Sequence, residues 1–237
     1  MSQPTATVPL GDDAQHLVDE FERLSPFVDG GWDHNAWYHP WLLRHVPRPC
    51  ELALDVGSGG GRFTRELARR AGYVFGLDLS PSTVAVADRL TAQLGGPENL
   101  EFVVGDLHDL ELPPATFDCI VTIACLHHLD LDVAYRQLAA ALRPGGILLV
   151  LDLLRSELPR DVWRELLAWP LARLLQLKHT GRLIEPRARR RAWREHGEDD
   201  AQQLTVTEVR ALAERALPGA QLRRRLLWRY SLVWQKP

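Results

Sequence analysis

A chain of 237 residues with 46% hydrophobic side chains has enough apolar mass for a core, arranged as one large or two small domains. Its 28 basic and 31 acidic side chains leave a net charge of −3, which gives no overall pull toward nucleic acid or an anionic membrane and favours a small-molecule partner. No apolar run is long enough to span a bilayer, and the polar stretch from Met1 to Gln15 lacks the basic-then-apolar order of a secretory signal, so the expected setting is the cytoplasm, with the protein a monomer or homodimer.

Taken in chain order, the segment Trp32-Asp33-His34-Asn35-Ala36-Trp37-Tyr38-His39-Pro40-Trp41 comes first, a dense aromatic and imidazole stretch that reads as an amphipathic helix docking its tryptophans. Short apolar runs then alternate with helical spacing. Strands are predicted at Glu51 to Val56, Tyr73 to Leu79, Leu100 to Val104, Phe117 to Ala124 and Ile147 to Leu153. Helices are predicted at Arg62 to Arg70, Ser82 to Leu94 and Leu131 to Leu142, with Ser80-Pro81 starting the second and Gly145-Gly146 ending the third. The rhythm is that of βαβ units and a parallel sheet. From Glu157 to Gly197 the pattern becomes helical and rich in Trp and Arg, interrupted by Pro159, Pro170, Gly181 and Pro186, and reads as an inserted cap over about 157–200. Ala220 to Lys236 is β-rich and is expected to close the sheet as an antiparallel hairpin bending at Arg229-Tyr230. Cys50, Cys119 and Cys125 are too few and too far apart for a disulfide framework or a zinc knuckle, and read as buried free thiols.

The most informative motif is Leu54-Asp55-Val56-Gly57-Ser58-Gly59-Gly60-Gly61-Arg62-Phe63, where the first strand meets the first helix. Glycines at 57, 59 and 61 permit positive φ and remove the Cβ atoms that would hold a ligand off the backbone. A dinucleotide fingerprint needs glycine or alanine five residues after the first glycine, where this chain has Arg62. Asp55, two before the first glycine, suits a cationic or amino-bearing ligand better than a pyrophosphate. Asp78 ends the second strand, where a carboxylate can accept both hydroxyls of a ribose; its structural alternative, the cap of the next helix, suits Ser80 better. Asp106 follows the third strand.

These motifs, with Cys125-Leu126-His127-His128-Leu129 after the fourth strand and Leu142-Arg143-Pro144-Gly145-Gly146 before the fifth, resemble the class I S-adenosylmethionine-dependent methyltransferases, of the small-molecule type 11/12-like group, over about Leu52 to Leu153. The resemblance implies a Rossmann-like, doubly wound α/β fold with a seven-stranded, mostly parallel sheet over 49–237, preceded by a helical lid over 1–48. It implies S-adenosylmethionine as cofactor and S-adenosylhomocysteine as product. Asp55, Gly57, Ser58, Gly59, Asp78, Leu79, Asp106 and Leu107 fall at its cofactor positions, with Asp106 accepting from the adenine amino group. Ala124 and Cys125 would meet the methionine part through their main chain.

The lid of related enzymes places Trp37 and Tyr38 over the cofactor, with His34, Asn35 or His39 available to hydrogen-bond it or the acceptor. The sulfonium methyl is already electrophilic, so positioning dominates catalysis. A base near neutral pKa helps a hydroxyl, phenol or acidic carbon, and His127, with His128 beside it, stands where one is needed. The alternative for that pair is packing or hydrogen-bond donation. No carboxylate cluster suggests a metal. The expected reaction is methyl transfer to O, N or C of a small metabolite, with a natural product of secondary metabolism as the acceptor type. The competing readings are an NAD-dependent oxidoreductase and a non-catalytic cofactor-binding module. The basic runs Arg187 to Arg194 and Arg223 to Arg225 read as solvated faces, and no nucleic-acid partner is expected.

Overall fold

The computed structural model describes Val18 and residues 33–155, 162–182 and 204–237. Seven strands form one sheet in the order β3-β2-β1-β4-β5-β7-β6. The first five are β1 (Leu52–Val56), β2 (Tyr73–Asp78), β3 (Leu100–Val104), β4 (Phe117–Ile123) and β5 (Leu142–Leu153), all parallel to one another. β6 (Gln221–Arg224) and β7 (Arg229–Gln235) form a hairpin, with β7 antiparallel to both β5 and β6. The order reverses between β1 and β4, which opens a crevice at their carboxyl ends.

The helices are α1 (His39–His45), α2 (Arg62–Leu67), α3 (Pro81–Gln93), α4 (Leu131–Ala141), α5 (Val162–Thr180) and α6 (Val206–Ala216). Alternation along the central strands sorts the core into two layers. Leu54, Ile120, Leu148 and Val150 pack with α4 and α6, while Ala53, Cys119, Val121, Leu149 and Leu151 pack with α1 and α2. Ser80 caps α3 by accepting from the Thr83 amide, as its sequence position implied. Among the described residues no helix is long and apolar enough to cross a membrane. The three cysteines are free, Cys50 and Cys119 buried and Cys125 half-buried.

Two expected boundaries move. Gly145-Gly146 does not end the helix: α4 stops at Ala141 and Leu142 is already extended, pairing with Phe117. The glycines lie inside β5 beside a register shift against β4, and Gly145 takes a φ of 81°. The hairpin bend is not at Arg229-Tyr230, because both residues are laddered in β7 against Leu153 and Asp152 of β5. The chain turns at residues 225–228 instead, where Leu227 and Trp228 each adopt a φ of 57°. Leu227 is fully buried against Ala168, Ala172 and Leu175 of α5, so tertiary packing holds a turn that no glycine announces. Only 162–182 of the expected cap, and Val18 and 33–48 of the expected lid, fall within the described residues; the Arg187 to Arg194 run and Trp32 lie outside them.

Candidate functional site

The crevice between β1 and β4 is floored by the glycine loop, and β2 fixes that loop's shape. The amides of Gly57 and Ser58 both donate to the Leu77 carbonyl, at 2.8 and 3.0 Å, and the Gly59 amide donates to Asp78 Oδ2 at 2.8 Å. Gly57, Gly59 and Gly61 all have positive φ, at 73°, 53° and 72°. They differ in what a side chain would meet. A Cβ on Gly57 would stand 2.6 Å from Cys125 Cβ, and one on Gly61 would run into the ring of Phe102, whereas nothing lies within 4 Å of the place it would take on Gly59. Two glycines thus let protein approach the loop, and the third leaves its backbone bare for a ligand.

Asp55 does not open onto that bare stretch. It is buried, with Oδ2 accepting from Thr64 Oγ1 at 2.6 Å, and burial raises its carboxyl to about 7, opposed by the Thr64 bond and assisted by Asp78. Arg65, also buried, donates to the Gly60 carbonyl at 2.9 Å and to Thr91 Oγ1 at 3.2 Å, tying the loop to α2 and α3. Ser58 Oγ is buried with no hydrogen-bond partner among the described residues.

Asp78 is half-buried at the mouth of the crevice. Its Oδ2 takes the Gly59 amide and its Oδ1 the Ser80 amide at 3.1 Å; burial raises its carboxyl and these two bonds work against that rise. A carboxylate offers about four lone-pair sites, so with these two bonds among the described residues there is room for a ligand's hydroxyls. Leu79 follows it half-buried. Asp106 lies just beyond β3, accepting from the His108 amide at 2.8 Å, while Leu107 turns its side chain into the core. Ala124 has a φ of 50°, and Cys125 packs on Gly57. Asp55, Asp78, Asp106 and the residues after β4 therefore meet at the carboxyl edge of the sheet. The bare Gly59 backbone beside the unfilled acceptor sites of Asp78 fits the nucleoside of S-adenosylmethionine.

The residues after β4 end in a 3₁₀ turn, Leu126–His128. His127 Nδ1 lies 2.6 Å from Asp152 Oδ1, and the His127 amide donates to Asp152 Oδ2 at 3.1 Å. Burial disfavours the Asp152 charge, yet the imidazole and the Leu153 amide bring its carboxyl below the ordinary carboxylate value. His128 stacks against His127 with ring centroids 4.0 Å apart. No local motif in the sequence joins Asp152 to His127, which lies 25 residues away. The signal of Asp152 was a single acid in the run Leu148-Leu149-Val150-Leu151-Asp152-Leu153, where an unpaired charge would be costly.

The aromatic segment before β1 divides. Tyr38 is buried and donates through its hydroxyl to the Leu226 carbonyl at 2.8 Å, and His39 Nδ1 lies 3.1 Å from Glu66 Oε2 with its ring edge-on to Phe63. These two residues clasp the segment to the domain. Asn35 Oδ1 accepts from Arg229 Nε at 2.8 Å, His34 faces the Trp228 ring at 6.0 Å, and Trp37 is 44% exposed. Trp228 also meets Trp169 of α5 edge-on at 6.0 Å, and its carbonyl accepts from the Leu154 amide. The 225–228 turn thus joins the N-terminal segment and α5 just past the end of β5. Among the described residues no three His, Cys, Asp or Glu side chains group as a metal would require.

A family model described as a methyltransferase domain matches residues 54–150. An uncharacterized methyltransferase of Mycobacterium tuberculosis is 29% identical over 216 residues, 89% of this chain and 100% of that protein. A ubiquinone/menaquinone biosynthesis C-methyltransferase of Vibrio cholerae is 30% identical over 140 residues, 57% of this chain and 54% of that protein. The crystal structure of an S-adenosylmethionine-dependent methyltransferase from Aquifex aeolicus superimposes with a TM-score of 0.58 at 17% identity, covering 96% of this chain and 100% of that one, a likeness of fold.

Proposed function

Because this chain belongs to the class I S-adenosylmethionine-dependent methyltransferases, we propose that it methylates an oxygen, nitrogen or carbon of a small-molecule acceptor such as a natural product. The observation that carries the cofactor assignment to particular residues is the Gly59–Asp78 bond: one short contact aligns a bare main chain with a carboxylate that retains free acceptor sites. In this reading Asp78 holds the ribose hydroxyls, Asp106 and Leu107 border the adenine, Gly57, Ser58 and Gly59 line the loop, and Leu79, Ala124 and Cys125 complete the wall. Asp55 acts from below, shaping the loop through Thr64.

When bound, S-adenosylmethionine supplies a sulfonium-linked methyl group, and the chain's part is to hold the acceptor in line with it and keep water away. His34, Trp37 and His128 are the acceptor-side candidates, and Tyr38 and His39 support them by fixing the segment over 33–48. His127 is the candidate general base. The test is calorimetry with S-adenosylhomocysteine. Asp78→Ala removes an acceptor of charge-assisted bonds worth about 1.5–3 kcal/mol each, so affinity falls at least about tenfold. Unchanged affinity removes Asp78 from the site.

A further inference from the structure

We propose that the outward face of α5 docks on an anionic lipid surface, so that this one helix holds the protein at a membrane. The face lies apart from the cofactor residues, and it stands or falls separately from the methyltransferase reading.

α5 is apolar on two sides, where a surface helix ordinarily has one apolar side. Its inner side is covered: Ala168, Ala172 and Leu175 are buried with Leu227 of the 225–228 turn. The outer side carries Leu166, Leu167, Leu174 and Leu177, which are 70%, 53%, 63% and 41% exposed. At about 100° per residue, positions 163, 166, 167, 170, 174 and 177 share a stripe opposite 168, 172 and 175. Trp163 and Pro170 belong to that stripe, and both are exposed. Trp169, at its margin, meets Trp228 edge-on, so docking would bring the 225–228 corner to the lipid.

Charge selects the occupant. The whole chain has a net charge of −3, yet residues 166–182 hold Arg173, Lys178, His179 and Arg182 with no Asp or Glu, and all four are exposed. On the helix Arg173 and Lys178 fall to either side of the stripe, and the Arg173 guanidinium lies 5.7 Å over the Trp169 ring. Leucine and tryptophan edged by cations is the composition with which a helix lies at the boundary of headgroups and acyl chains. Its apolar side sinks about 5–10 Å, and its cations meet the lipid phosphates. Size argues against a protein partner. From Trp163 to Leu177 the stripe is about 21 Å long, and at a helix width of about 10 Å it offers about 200 Å², against about 800 Å² per partner in a standard interface. A bilayer needs no matching shape. Among the described residues no helix is long and apolar enough to cross a membrane, so α5 would lie on the bilayer and not through it.

The test is co-sedimentation of the full chain with vesicles of phosphatidylcholine alone and of phosphatidylcholine mixed with phosphatidylglycerol, at low and physiological salt. The protein should bind the mixed vesicles, bind the neutral ones at least about tenfold more weakly, and lose affinity as salt rises. Leu166→Gln with Leu174→Gln and Leu177→Gln should weaken binding at least about a hundredfold and leave Tm nearly unchanged, because the three side chains are exposed. Lys178→Gln with Arg182→Gln should weaken binding to the mixed vesicles about thirtyfold. The proposal is overturned if the parent ignores phosphatidylglycerol vesicles, if the triple variant binds them as tightly as the parent, or if neutral vesicles serve equally well. A parent dimer in analytical ultracentrifugation that the triple variant dissociates also overturns it, in favour of a second copy on this face. Calorimetry with S-adenosylhomocysteine is scored separately: no binding by the parent overturns the cofactor reading and leaves the vesicle result standing.

Discussion

Alanine at Gly57 and alanine at Gly59 should have opposite phenotypes. At a φ of 73° a residue with a Cβ loses about 1–2 kcal/mol in the left-handed region. The new Cβ would also sit 2.6 Å from Cys125 Cβ and 2.7 Å from Cys125 Sγ, far inside the ordinary carbon contact of about 3.5–4.0 Å. Overpacking of that kind costs about 1–3 kcal/mol. Gly57→Ala should therefore lose about 2–5 kcal/mol, which lowers Tm by roughly 4–20 °C in a chain of this size. Gly59→Ala meets no atom within 4 Å, so its cost is only the conformational part, but its methyl occupies the surface assigned to the nucleoside. It should keep most of its stability and bind S-adenosylhomocysteine at least about tenfold more weakly. Urea denaturation and calorimetry read the two effects separately. Adding Cys125→Gly to Gly57→Ala should recover the steric share and leave the conformational one. A Gly57→Ala protein within about 1 kcal/mol of the parent, or a double variant with no recovery, would refute this account of the loop.

Asp55 gives a pH signature: its folded value of about 7 lies above the 3.8 of an ordinary Asp, so the folded state holds the extra proton between those values. Its contribution to stability is full below about 3.8 and is lost as pH rises toward 7, by up to about 1.4 kcal/mol per pH unit. Asp55→Asn should flatten that part of the stability–pH curve relative to the parent, and parallel curves for the two would contradict it. Phe102→Ala, which empties the space against Gly61 and Gly76, should cost about 3–5 kcal/mol in denaturant unfolding; a loss under about 1 kcal/mol would mean the ring does not brace the loop. Tyr38→Phe removes the donor to the Leu226 carbonyl and should cost about 0.5–1.5 kcal/mol, with faster amide exchange in 33–38 as the local readout.

The parallel half of the sheet was legible because its signals are local. Each strand is an apolar run bounded by a turn, and the Gly57–Gly61 loop, Asp78 and the Ser80 cap each announce themselves within a few residues. The features that are not legible locally depend on distant partners. Asp152 becomes meaningful only when the β4–β5 pairing brings it to His127, 25 residues earlier. The 225–228 turn contains Leu226, Leu227 and Trp228, which carry no turn preference, and its left-handed residues are held by α5. Thr64 and Arg65 look like ordinary helix residues, and only their burial beneath the loop turns one into the partner of Asp55 and the other into the partner of Gly60. Asp55 was legible as important, but its direction was not, since a spacing of two before a glycine says nothing about which face the carboxyl takes.

The corner at residues 225–228 gathers pieces from opposite ends of the chain. Tyr38 reaches it from one side, α5 lies along another, and Leu154 anchors it from beneath. The glycine loop, in contrast, is stitched to β1, β2 and α2, with Cys125 linking it to the far half. Recombination that exchanged this corner along with α5 would thus leave those contacts unbroken, so that under the proposed reading the acceptor side could change while the hold on the nucleoside stays as it is.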